Sequence, residues 1–98
     1  MFGEIRKYYR NKPHNHIIRF HKTMTPAPTM GKGAYTEIRD GALVSAMKEL
    51  QQEYDFEIIS VSFKYECSIT IRSKGTDHLE IFAKFVTSMA HYIERVNY

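Results

Sequence analysis

Apolar and polar side chains alternate through residues 59–66, with Ile59, Val61, Phe63 and Tyr65 set against Ser60, Ser62, Lys64 and Glu66. A period of two puts the two sets on opposite faces of a strand, so residues 56–65 are predicted to be a strand with one buried face. Residues 68–73 continue as its antiparallel partner, with Ile69 and Ile71 inward and Ser68, Thr70 and Arg72 outward. The turn between them falls near Glu66 and Cys67. Residues 16–21 alternate in the same way, Ile18 and Phe20 inward, Ile17, Arg19 and His21 outward.

Two stretches repeat at three and four instead. Ala42, Leu43, Ala46, Met47, Leu50 and Tyr54 form one helical stripe behind Asp40, a good N-cap, with Lys48, Glu49, Gln51, Gln52 and Glu53 on the wet side. Gly75 closes the second hairpin strand, and Thr76 caps a helix predicted to run over residues 76–96 on Leu79, Phe82, Val86, Met89, Ile93 and Val96. Ile81, Phe85 and Tyr92 lie beside that stripe and widen it beyond what one sheet face needs. They are expected to form a protein interface, most simply in a homodimer, or to be covered by the N-terminal segment. In that segment Phe2, Ile5 and Tyr9 share one face of a short helix, Arg6, Lys7 and Arg10 point elsewhere, and Pro13 ends it. Residues 23–33 hold Pro26, Pro28, Gly31 and Gly33 and read as a loop.

Residues 34–39 fit two readings. As a strand, Thr36 and Ile38 point inward and Tyr35, Glu37 and Arg39 outward, and the faint echo between residues 36–41 and 69–75 suggests two ββα units. The order is then ββαββα, a circular permutation of the ferredoxin-like arrangement. As the first turn of the following helix, the order is βαββα. Either way the expectation is a single α+β domain over residues 1–98, with one antiparallel sheet of three to four strands and two amphipathic helices on one face.

Composition adds bounds. At 98 residues and 11.5 kDa, with 43% hydrophobic and 26% charged residues, the chain has the make-up of one globular domain. No apolar run approaches the roughly 18 residues of a membrane span, and residues 1–12 lack a secretory core. A lone cysteine, Cys67, excludes an internal disulfide and fits a reducing compartment, so the expectation is a cytoplasmic protein that binds no membrane.

Charge changes the picture most. Residues 1–32 carry seven Lys/Arg against Glu4 alone, net +6, while residues 33–98 carry seven against ten acids, net −3. His14, His16 and His21 fall in the basic third. Such asymmetry points to an electrostatic contact made by the N-terminal part.

Catalytic and cofactor signatures are absent. His14-Asn15-His16 supplies two histidines of one strand parity and His21 the other, short of a zinc set. Gly31-Lys32-Gly33 lacks the spacing and the hydroxyl of a nucleotide-binding loop. Cys67 has no base beside it, and the Asp55/Glu57 and Glu49/Glu53 pairs face no pocket that the sequence defines. No metal, no cofactor and no enzymatic activity are expected.

What remains is surface. Strand parity collects Arg19, His21, Tyr35, Arg39, Lys64 and Arg72 with Ser60, Ser62 and Thr70 on the polar side of the sheet, and the basic segment adds Arg6, Lys7, Arg10, Lys12, Lys22 and Lys32. Cations with small hydroxyls can follow a phosphate backbone, so the leading expectation is a binding module for nucleic acid, RNA or DNA, or for a nucleoprotein complex. The alternative partner is an acidic protein surface, contacted by an inhibitor or adaptor that blocks a functional site. Seven tyrosines and the broad apolar helix suit that class.

Overall fold

The computed structural model describes residues 12–23, 31–64 and 66–97. Within them the order is β1 (Pro13–Lys22), α1 (Lys32–Leu50), β2 (Phe56–Ser62), β3 (Cys67–Lys74), α2 (Asp77–Ser88) and β4 (Ile93–Asn97). The strands form one antiparallel sheet in the order β2-β3-β1-β4. The two longest strands are thus central, where the alternation of Ile18 and Phe20 meets that of Cys67, Ile69 and Ile71. Both helices press on this face, and all of these residues are buried together with Leu43, Ala46, Met47, Ile81, Phe82 and Phe85. Burial pushes the Cys67 thiol above its usual pKa, so the sulfur sits in the core as a protonated small hydrophobe.

The strand alternative for residues 34–39 is overturned. They lie inside α1, which begins at Lys32, so the helical reading holds and the order is βαββα with a further strand, β4, after it. Asp40, expected as an N-cap, sits within the helix; Gly31 occupies the cap position. The reason lies in what holds the N-terminal half. It presents no apolar stripe, and Ile38 is 51% exposed. Polar ties anchor it instead: Arg39 donates through Nε to Asp40 Oδ1 at 3.0 Å and through its guanidinium to the Thr23 carbonyl, while the Tyr35 and Thr23 hydroxyls are 2.7 Å apart. The C-terminal half carries the expected stripe, with Leu43, Ala46 and Met47 buried.

The second helix is shorter than residues 76–96. It ends at Ser88, and Ile93–Asn97 returns as β4 along the second edge of β1, with Phe20 opposite Val96 and His21 opposite Arg95. The Thr23 N–H also donates to the Tyr92 carbonyl at 2.9 Å. Ile93 and Val96 are β-branched and suit a strand, and a helix running through them would have left that edge of β1 unpaired.

In β2 the face assignment changes part-way. Phe56 and Ile58 point inward opposite Ser73 and Ile71, the register then slips between Ile58 and Ser60, and Val61 comes opposite Ile69. The segment holds two apolar alternations out of phase, Phe56/Ile58 and Val61/Phe63. Ile59 is the extra residue of a bulge that brings both to the core side. Residues 1–11 of the expected N-terminal helix lie outside the described residues, as do residues 24–30 of the Pro/Gly-rich loop, and Pro13 opens β1.

Candidate functional site

Among the described residues both helices lie on one side of the sheet and the other face is open. Register fixes its rows: Glu57, Arg72 and Asn15 in one; Ser60, Thr70 and Ile17 in the next; then Ser62, Ser68, Arg19 and Asn97; then His21 and Arg95. Three arginines therefore step diagonally across β3, β1 and β4. At a strand rise of about 3.3 Å, Arg72 and Arg19 are about 13 Å apart along the strands, and Arg19 and Arg95 about 7 Å. All three are exposed, and among the described residues none makes an ion pair. Serines, a threonine and asparagines fill the space between. Glu57 is the carboxylate in those rows, beside Arg72.

The structure separates the predicted residues. Arg19, His21 and Arg72 lie on the open face as expected, with Ser60, Ser62 and Thr70. Lys12 and Lys64 are exposed at its margins. Tyr35 and Arg39 leave the sheet, because their segment is helical. Arg39 is 1% exposed and its guanidinium carbon lies 5.6 Å from the Tyr35 ring centroid, so it braces α1 instead of meeting a ligand. Lys22 also turns inward, because the register slips between His21 and Lys22. Its Nζ donates to the Phe63 carbonyl at 2.7 Å and lies 3.5 Å from Asp40 Oδ2. Lys32 opens α1. Arg6, Lys7 and Arg10 lie outside the described residues.

No protein-family model matches the chain, and no curated protein or solved structure does either. The geometry must carry the functional reading.

Arg95 is the member of the diagonal that sequence reasoning missed. Its signal was the parity of β4, hidden once residues 93–96 were assigned to a helix. The apolar interface also needs correction. Ile81 and Phe85 are fully buried in the chain's own core, Phe85 edge-on to Phe20 at 5.7 Å, and Tyr92 is half-buried against that core. Ile81 and Phe85 join Phe82, Val86 and Met89 of the expected stripe against the core, and Leu79 leaves that stripe, 60% exposed. None of the three is an exposed docking residue in this fold.

His16 and His78 bring imidazoles together across β1 and α2, with centroids 3.6 Å apart and planes 4° from parallel. Parallel stacking points their in-plane lone pairs side by side rather than at a common centre. Among the described residues no three of His, Cys, Asp and Glu converge as metal ligands. No helix among them is long and apolar enough to cross a membrane.

Proposed function

We propose that this chain is a nucleic-acid-binding module whose open sheet face follows a phosphate backbone, with the basic N-terminal segment extending the contact. The observation that carries this reading is the diagonal of Arg72, Arg19 and Arg95 on an uncovered face, interspersed with hydroxyls and free of ion pairs among the described residues. Residues 1–32 carry net +6, and Arg19, one of their cations, lies on β1, the strand at the middle of that diagonal. The aromatic side chain of the cross-strand rows is His21, in the last of them, while Ile17 occupies the centre. The proposed mode is therefore backbone contact with little base stacking, and hence little sequence preference. We read the element and strand order as the ferredoxin-like arrangement, an architectural statement that by itself carries no function.

Anisotropy titrations with single-stranded and duplex DNA and RNA test the proposal. Binding should be tightest at about 50 mM salt and its logarithm should fall linearly with log salt concentration. Absence of binding at that salt overturns it.

A second reading, a module that blocks a partner protein's surface, draws on the exposed Ile59, Val61 and Leu79. Partner capture that persists at about 0.5 M salt and is lost on Leu79→Ser but not on Arg19→Ala would select it.

A further inference from the structure

Where β1 leaves the sheet, a pocket of about 460 Å³ opens between the ends of β1, β2 and β4 and the N-terminal half of α1. Its wall includes His21, Lys22, Phe63, Lys64, Glu94 and Arg95. This volume falls within the usual range for small-ligand sites. Two of its cations are committed to the fold: Lys22 and Arg39 share the carboxylate of Asp40, which leaves that cluster one positive charge in excess. Two others are not committed. Lys64 and Arg95 are exposed, and among the described residues neither side chain makes an ion pair. Glu94 opposes them, yet the wall stays net positive. Phe63 supplies an apolar side, with the Lys22 ammonium 5.4 Å from its ring centroid.

The pocket also continues the open face. Arg95 and His21 form the last cross-strand row of the sheet and belong to the wall as well. An anionic chain following Arg72, Arg19 and Arg95 is thereby led into a cationic cavity with one aromatic side.

Resting on the nucleic-acid reading above and extending it, we propose that this pocket binds a nucleotide's phosphate group between Lys64 and Arg95, with the attached nucleoside against Phe63. The phosphate can come from a free nucleoside monophosphate or from the end of a strand lying on the sheet, and the two sources are separable.

The test uses the full chain, isotope-labelled, with AMP and inorganic phosphate as probes. AMP should shift the amides of residues 63–64 and 94–95 more than phosphate does. The Lys64→Ala/Arg95→Ala variant should lose those shifts and weaken AMP binding by at least about tenfold, as loss of two charge-assisted contacts implies. Both residues are exposed, so folding should survive. Glu94→Gln, which removes the opposing charge, should instead tighten AMP. A 5′-phosphorylated oligothymidylate that binds better than its unphosphorylated twin identifies the strand end as the source; equal binding of the two, with AMP still bound, identifies the free nucleotide. Unshifted amides at residues 63–64 and 94–95 on adding AMP, while the parent chain still binds oligonucleotides with a steep salt dependence, overturn the pocket and leave the sheet-face reading standing. AMP binding by a chain that binds no oligonucleotide does the reverse.

Discussion

His16 Nε2 and His78 Nδ1 are both buried and have no hydrogen-bond partner among the described residues, and the two rings stack face to face. A proton on His16 places a charge in that stack, beside a second imidazole. The His16 pKa is accordingly held below its usual value, first by burial and then by His78 and His14. A lowered folded-state value means that the unfolded chain takes up the proton more readily. Stability from this site is therefore complete above about pH 6.5 and declines as pH falls below it. Urea midpoints should stay level from about pH 8 to 7 and drop as pH falls below about 6.5, and a His16→Phe/His78→Phe variant should flatten that drop. Asp40 is the other decisive residue. It receives Lys22 and Arg39, whose side chains are 11% and 2% exposed, so Asp40→Asn leaves two poorly solvated cations without their counter-charge. The expected loss is about 3 kcal/mol by denaturant titration, against little change for the exposed Lys84–Glu53 pair broken by Glu53→Gln.

At the level of elements, α1 joins two unlike halves, one tied by polar bonds and one by packing. Gly41 sits between them with open space where a Cβ would stand. Gly41→Ala should stabilise the chain by about 0.5–1 kcal/mol, seen as a raised Tm, because helical glycine carries an entropic cost and nothing here needs the gap. Gly75 behaves oppositely. Its φ of 56° turns β3 into α2, so Gly75→Ala should cost about 1–2 kcal/mol. These contrasts also mark what the sequence disclosed. β1, β3 and the C-terminal half of α1 were legible because their apolar residues follow a single period. The N-terminal half of α1 was not, since its anchors are Arg39 and Tyr35 meeting Thr23, a contact between distant residues that no local pattern encodes. β4 was hidden because Ile93 and Val96 extend the three-and-four spacing of the preceding helix and declare themselves as a strand only beside β1.

For the whole molecule, the open face was readable in part. Arg19 and Arg72 follow from the parity of long strands, whereas Arg95 and the pocket depend on how three strand ends and a helix meet. If the arginine diagonal makes the contact, Arg19→Ala and Arg72→Ala should each lower the steepness of log affinity against log salt by about one, equally for all sequences, with Tm unchanged. A drop confined to one oligonucleotide sequence would point to base readout instead.

The bulge at Ile59 bears on what happens between copies of the chain. β2 is an edge strand whose outer row of amides and carbonyls has no neighbour within the sheet, and Ile59 and Val61 are exposed along it. A straight apolar edge is a template for strand addition, and the extra residue breaks the regular spacing of that row. Removing Ile59 would leave Phe-Glu-Ile-Ser-Val-Ser-Phe, an unbroken alternation that satisfies the core equally well. That deletion should fold, yet turn turbid faster on concentration than the parent. The same residue that lets two apolar phases share one core would then also be the chain's guard against templated aggregation.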